Sequence, residues 1–121
     1  MLQHFSSAPL AVFVAWEPIL VTDIRGPKTP VLARVSDRRA SQFWDHGHLI
    51  SQSMGGPASF GPKSGAEIHF HMKKHVWDFV AVYPPGFRWK ECGASPSFAG
   101  APAVDVTQSL QAAIESALAK R

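Results

Sequence analysis

The chain predicts a single α/β domain with the element order β-α-β-β-α, and three observations support this. Two apolar segments, Ala11–Trp16 and Val76–Tyr83, have the length and the β-branched and aromatic content of strands. A turn containing proline and glycine follows the second segment and predicts a hairpin. Apolar residues at helical spacing toward the C-terminus predict a closing helix. Strands that alternate with helices in this way are typical of the α/β class.

The first predicted strand, Ala11–Trp16, carries an apolar residue at every position and is followed closely by Pro18. Since no polar residue alternates with the apolar ones, we expect both faces of the strand to be buried, as in a central strand of an α/β sheet. The stretch 22–28 that comes next has the composition of a loop.

Two short helices are predicted between the strands. Thr29 and Pro30 are typical of an N-cap followed by proline in the first turn of a helix, here over 31–34. Asp37 is predicted to cap a second helix over 38–45, and the aromatic pair near its end would anchor that helix. A last helical turn or a short docking segment is expected just beyond it, at Leu49 and Ile50.

The second half of the chain is predicted to contain a loop and a hairpin. Residues 53–65 form a loop rich in glycine and proline. The next segment, 67–75, fits a strand or a short helix, and both alternatives stay open. Val76–Tyr83 is the second strand, the turn at 84–86 reverses the chain, and Phe87–Trp89 begins the returning strand.

The closing helix is predicted after a further loop at 91–102. Asp105 is a suitable N-cap, and Gln108, three residues on, completes a capping-box pattern. The last two residues of the chain are cations, which the helix dipole favours at a C-terminus. The apolar residues of one helical face are Val106, Leu110, Ala113, Ile114, Ala117 and Leu118.

Composition limits the functions open to this chain. Its 121 residues are the size of one domain, so 1–121 is predicted to be a single domain. Twelve Lys and Arg against nine Asp and Glu give a net charge of +3, and the cations are scattered, so nucleic acid is not a predicted partner. No apolar run reaches the roughly 18 residues that span a bilayer, so a membrane is not predicted either. A single cysteine excludes a two-cysteine redox centre within this chain.

Three strings of the sequence resemble a group of poorly characterised bacterial thioredoxin-like proteins. They are VFVAWEPIL, DRRASQFWD and WDFVAVYPPGFRW, and the resemblance covers about residues 10–118. In that family they form a strand ending in Trp and Pro, an Asp-Arg-containing helix, and a Trp-Asp strand that leads to a hairpin. The resemblance implies an incomplete thioredoxin-like β-α-β-β-α sandwich with a C-terminal helix.

One feature of that family has no counterpart in this sequence. Family members carry a first strand and a Cys-x-x-Cys helix ahead of the strand matched by Ala11–Trp16, and only ten residues stand there in this chain. Thiol–disulfide exchange needs a reactive thiolate and usually a resolving thiol. The resemblance therefore implies a truncated domain with no catalytic residue and no cofactor of its own. Cys92 is predicted to be a loop cysteine of ordinary reactivity.

The histidines are the most unusual feature of the composition, and they open a metal-binding alternative. His69, His71 and His75 are spaced so that a strand places the first two on one face and a helix places the last two one turn apart. Two imidazoles on a shared face are ligands for Zn²⁺, Ni²⁺ or Cu²⁺. His46 and His48, in an Asp-His-Gly-His string, are further candidate ligands. The spacing matches no closed zinc motif, so exposed polar histidines are the competing interpretation.

Other residues of possible chemical interest are given structural interpretations. The string Asp37-Arg38-Arg39 is typical of a helix cap with neighbouring surface cations. Four tryptophans at strands and at a helix end are typical of core packing. Asp78 is expected to lie at the exposed end of its strand or to pair with a cation, because a buried unpaired carboxylate is costly.

Together these observations predict a thioredoxin-like module that is non-catalytic and acts through interaction or structure. The missing strand would leave a sheet edge exposed, so we expect a homo-oligomer or a complex with another chain through that edge. Two alternatives stay open: a fragment of a thiol–disulfide oxidoreductase whose Cys-x-x-Cys lies upstream or on a partner, and a histidine-based metal-binding protein. No signal peptide is recognisable, which predicts a cytoplasmic protein if Met1 is the native start and leaves an extracytoplasmic one open if it is not.

Overall fold

The computed structural model describes residues 1–20, 22–54, 78–88 and 96–120, and it has the mixed α/β class that the sequence predicts. Among the described helices, none is both long and apolar enough to cross a bilayer. The described strands form two two-stranded sheets, one parallel and one antiparallel. In chain order the elements are β1 (Val12–Trp16), α1 (Thr29–Leu32), β2 (Ala40–Trp44), α2 (Leu49–Ser53), β3 (Val80–Val82), β4 (Phe98–Gly100) and α3 (Thr107–Ala119).

The first of two compact units, Met1–Ile50, is built on the parallel pair of β1 and β2. The strand prediction for β1 is confirmed, but the prediction that both of its faces are buried is wrong. Alternate residues of β1 are exposed, and Phe13 leaves 72% of its surface in solvent. The cross-strand pairs are Val12–Ala40, Phe13–Ser41, Val14–Gln42, Ala15–Phe43 and Trp16–Trp44.

The segment predicted to be a helix over 38–45 contains strand β2, so that prediction is wrong. The Asp37 carboxylate accepts a hydrogen bond from the backbone N–H of Arg39 at 2.9 Å, which is a local turn and not a helix cap. The N–H of Ala40 donates to the Asp37 carbonyl at 3.0 Å and completes this turn. The chain then pairs with β1, because backbone groups of a strand need a neighbouring strand and this pairing overrides a weak helix preference.

Gln42 lies on the face of the sheet opposite to Phe13, and its side chain binds the connection between β1 and β2. Its side-chain amide donates to the carbonyls of Leu32 and Val35 at 3.0 and 3.2 Å. Its Oε1 accepts a hydrogen bond from the Trp16 indole N–H at 3.0 Å. These bonds hold the end of α1 against the sheet. The predicted helical turn is confirmed as α1, but its predicted cap is wrong, because Thr29 lies inside the helix and the N-cap position belongs to Lys28.

The second compact unit, Ser51–Arg121, contains the antiparallel pair of β3 and β4 together with α3, which contacts both strands. β3 lies within the predicted second strand. The prediction that the chain returns as a strand directly after the turn is wrong, since Phe87 and Arg88 belong to no strand. The partner of β3 is β4, which lies in the segment 91–102 that was predicted to be a loop.

The turn after β3 explains this difference. The N–H of Phe87 donates to the Pro84 carbonyl at 3.2 Å, and Gly86 has a φ angle of 75°. A proline followed by a residue with positive φ is the signature of a type II turn. Turns of types I and II splay the flanking strands, whereas two-residue hairpins use the mirror-image types. The predicted turn is therefore confirmed, but it does not close a tight hairpin, and β3 pairs with a later segment.

The closing helix is confirmed as α3, but its predicted cap is wrong. The helix begins at Thr107, and the N-cap position belongs to Val106, which makes no side-chain capping bond. Asp105 is part of the preceding turn, in which its backbone N–H donates to the Pro102 carbonyl at 3.1 Å. This turn places the carboxylate one residue too early to cap the helix. Ile114 of α3, 9% exposed, belongs to the core of this unit.

Candidate functional site

One face of the parallel sheet in the first unit presents two phenylalanines to solvent. Because side chains alternate along a strand and paired residues share a face, Phe13, Ala15, Ser41 and Phe43 lie on the same side of the sheet. All of them are exposed, Phe13 by 72% and Phe43 by 48%. We call these four residues the aromatic face.

The aromatic face is uncharged, and its large and small side chains lie on opposite diagonals. Phe13 is paired with Ser41, and Ala15 is paired with Phe43. The two rings are stacked, with centroids 6.3 Å apart and 24° between their planes. Offset aromatic rings in this distance range attract each other. The face is therefore a preformed apolar surface in which each ring stands beside a low area above alanine or serine.

A carboxylate–imidazole pair lies at the carboxyl edge of the same sheet. Glu17 directly follows β1, and His48 belongs to the loop after β2, so the parallel strands bring both residues to one edge. Nδ1 of His48 lies 2.8 Å from Oε2 of Glu17, and the Glu17 side chain is only 8% exposed. His48 has a φ angle of 55°, a left-handed conformation that is uncommon outside glycine. The contact with Glu17 helps to hold the loop in this conformation.

Asp45 fixes the other end of this loop. It is 9% exposed, and its carboxylate accepts a hydrogen bond of 2.6 Å from the backbone N–H of Ile50. Its own N–H donates to the carbonyl of Trp16 at 2.8 Å. The helical turn predicted near Leu49 is present as α2. Glu17 and Asp45 both bind groups of this loop. Their role at the carboxyl edge of the sheet is therefore to hold the loop in place.

The metal-binding alternative falls only in part on described residues. His48 takes part in the carboxylate–imidazole pair, and the exposed His46 lies edge-on to Trp44 with ring centroids 6.1 Å apart. Within the part of the chain that the structure describes, no three His, Cys, Asp or Glu residues are grouped so as to hold a metal ion. Metal binding stays a prediction, since three of its five candidate ligands lie outside the described residues: His69, His71 and His75.

Arg39 binds the N-terminal segment, which we define as residues 1–8, to the first unit. The segment winds in turns with hydrogen bonds from residue i+3 to residue i, which bring carbonyls three positions apart to one side. The Arg39 guanidinium also donates to the Asp37 carboxylate at 2.6 and 2.9 Å. The Asp37-Arg38-Arg39 string is thus structural, with Arg39 in a role that the sequence did not indicate. The carbonyls that accept from Arg39 are those of Leu2 at 3.1 Å, Phe5 at 2.5 Å and Ala8 at 2.9 Å.

This arrangement predicts that acid destabilises the first unit. Hydrogen bonds from the Arg39 side chain, and next from its backbone N–H, lower the pKa of Asp37 to about 2, against about 3.9 in an unfolded chain. A carboxyl whose pKa is lower in the folded state contributes stability that is complete above the unfolded value and disappears as the pH falls through the folded value. We therefore expect the free energy of unfolding to decrease between about pH 4 and about pH 2.

Urea unfolding at a series of pH values measures this effect, with Asp37→Asn as the comparison. The variant lacks the titrating group, so its unfolding free energy should fall less steeply in acid. Asp23 contributes to the slope in both proteins, because the backbone N–H groups of Leu20 and Ile19 lower the pKa of its carboxyl. Identical slopes for the two proteins would contradict the prediction.

The other residues singled out in the sequence have structural positions or lie outside the described ranges. Asp78 is exposed and precedes β3, which confirms the expectation of an exposed strand end. Its φ angle is 49°, and its carbonyl accepts a hydrogen bond from the N–H of Ala103 at 2.9 Å. The features outside the described residues are the loop from 55 to 65, the segment 67–75, Trp77, Trp89 and Cys92.

Sequence reasoning missed the aromatic face and the Glu17–His48 pair. The available signals were the alternation of large and small residues in ASQFW and a carboxylate placed directly after a strand. Both signals indicate these features only when β2 is known to be parallel to β1. The chain matches no protein-family model, no curated protein and no solved structure.

Proposed function

We propose that the chain is a thioredoxin-like interaction module without thiol–disulfide chemistry of its own, and that its aromatic face binds another protein chain. The observation that carries this proposal is the exposure of Phe13 and Phe43 side by side on one sheet face. Parallel sheets of globular proteins are normally covered on both faces. A parallel sheet face that keeps two phenylalanines in solvent is therefore suited to being covered by a partner.

The chemistry of the aromatic face fits the centre of a protein interface. Phenylalanine brings a large apolar area with few rotatable bonds, so little side-chain entropy is lost when it is fixed. The stacking of Phe13 on Phe43 already restricts both rings before binding. No charged group lies on the face, so binding there does not require a charge to be removed from water. Interfaces concentrate their binding energy in such central aromatic residues.

The thioredoxin-like part of the proposal rests on the three strings of the sequence and on the mixed α/β class of the described elements. In chain order the described elements run β-α-β-α-β-β-α, and the segment that the resemblance treats as an Asp-Arg-containing helix contains strand β2. The chain contains one cysteine, whereas a redox dithiol needs two, which supports a role in binding. An experimental structure tests the fold. The described strands form two two-stranded sheets, so the thioredoxin-like fold requires an experimental structure in which further strands join them into one mixed sheet. Two sheets that stay separate contradict it.

Photo-crosslinking tests the interaction role. The photoreactive residue p-benzoylphenylalanine replaces Phe13 or Phe43, or Ile24 as a matched control that is 75% exposed but lies outside the aromatic face. In cells that express the full chain, we expect crosslinked products from positions 13 and 43 and a much lower yield from position 24. Mass spectrometry identifies the captured chain. Equal yields at all three positions, or none at 13 and 43, would contradict the proposal.

A further inference from the structure

We infer that the chain that covers the aromatic face is a second copy of this protein, stacked face to face about a two-fold axis that lies between the two sheets. The inference rests on the proposed function, because it names the partner of the same face. Two-fold dimers are the commonest oligomers, and they require a surface that is complementary to itself. The diagonal arrangement of large and small side chains gives the aromatic face this property.

Both possible directions of the two-fold axis place rings over small residues. An axis parallel to the strands brings Phe13 of each copy onto Ser41 of the other copy, and Phe43 onto Ala15. An axis across the strands brings Phe13 onto Ala15 and Phe43 onto Ser41. Each ring then enters the low area above a small side chain, as interdigitating layers require. If the two phenylalanines instead occupied directly paired positions of the two strands, an axis parallel to the strands would place ring against ring.

Charge and size indicate how strong this dimer should be. The chain carries a net charge of +3, but no charged residue of the aromatic face has to be buried. At about 200 Å² for each aromatic side chain, the two phenylalanines expose roughly 250 Å² per copy. A standard interface buries about 800 Å² per partner. We therefore expect a weak dimer that dissociates in the micromolar range or above.

Analytical ultracentrifugation of the purified full chain, from about 1 μM to about 500 μM, tests the inference. We expect monomers at the low end and dimers at the high end. Ala15→Phe adds a ring beside Phe43 on an exposed face, where the monomer tolerates it but the second copy does not, so dimerisation should weaken about tenfold or more. Ile24→Ser, the matched control, should leave dimerisation unchanged. Circular dichroism establishes that each variant is folded.

Compensating double variants separate an effect on dimerisation from an effect on the stability of the monomer. They also identify the direction of the two-fold axis. Ala15→Phe combined with Phe43→Ala exchanges the large and the small side chain of one pair that faces across the dimer. This double variant restores the dimer if the axis is parallel to the strands. Ala15→Phe combined with Phe13→Ala restores the dimer if the axis runs across the strands. Restoration by one of the two supports the inference. Restoration by neither, a monomer at every concentration of the unaltered chain, or no effect of Ala15→Phe overturns it.

Sedimentation and crosslinking together separate this inference from the proposed function. A crosslinked product of twice the chain mass from position 13 or 43, abolished by Ala15→Phe, supports both. A monomer in sedimentation with face-specific crosslinks to a different, identified protein overturns the second copy and supports the interaction module. A monomer without face-specific crosslinks contradicts both.

Discussion

Replacement of Arg39 by methionine is expected to detach the N-terminal segment from the first unit. Methionine keeps a long apolar stem but has no N–H donor, so the three carbonyls that the guanidinium binds lose their common partner. Phe5, which is 7% exposed in the intact chain, then becomes accessible. Limited digestion with chymotrypsin measures this opening, and cleavage after Phe5 should accelerate about tenfold or more.

Two further substitutions show whether the guanidinium itself is responsible. Arg38→Met removes an exposed cation next in the sequence and should leave the cleavage rate after Phe5 unchanged. Arg39→Lys keeps the charge, but an ammonium lacks the planar fork that serves several carbonyls and a carboxylate together, so an intermediate rate is expected. Equal acceleration by Arg38→Met and Arg39→Met would show that the N-terminal segment is not held by Arg39.

The elements that could be predicted from the sequence are those fixed by their own residues. β1 is a run of apolar β-branched and aromatic residues, and α3 has a continuous apolar stripe, and both lie where they were expected. The turn at 84–86 could be predicted because proline sets one φ angle and glycine permits the positive angle that follows. Each of these signals spans only a few residues, so the rest of the chain is not needed to interpret it.

β2 and β4 could not be predicted, because each is a strand only through its partner. Alanine and glutamine in ASQFW suit a helix as well as a strand, and the pairing with β1 decides between them. β4 has three residues, one of which is glycine, and prolines stand on both sides of it. Such a segment has the composition of a loop until β3 supplies its hydrogen-bonding partner.

The candidate site could be predicted even less well than the fold, because it depends on register. Phe13 and Phe43 share a face only in the parallel register that pairs Ala15 with Phe43. A shift of one residue would move Phe43 to the opposite face. The contact between Glu17 and His48 likewise follows from two parallel strands that end at the same edge. Local patterns identify these residue types but not their neighbours in space.

Substitution of Gly100 by alanine is expected to destabilise the second unit by about 1–3 kcal/mol. Gly100 is buried in β4, and a Cβ atom built on it would lie 2.9 Å from Cγ1 and 3.1 Å from Cγ2 of Val106. Val106 stands at the start of α3, and its β-branched side chain has few alternative rotamers. The added methyl group therefore has to displace the helix from the strand. Urea unfolding of the full chain measures the loss.

A double-mutant cycle with Val106→Ala assigns this loss to one contact. Val106→Ala removes the two nearest atoms that the new Cβ would meet and leaves only the Val106 Cβ at 3.2 Å, so Gly100→Ala should cost about 1 kcal/mol less in that background than in the unaltered chain. Gly86→Ala is the matched control, because its cost arises from a φ angle of 75° with no atom within 4 Å of the added Cβ. Its effect should add to that of Val106→Ala without coupling. Additivity in both cycles would contradict the close approach of Val106 to Gly100 as the source of the loss.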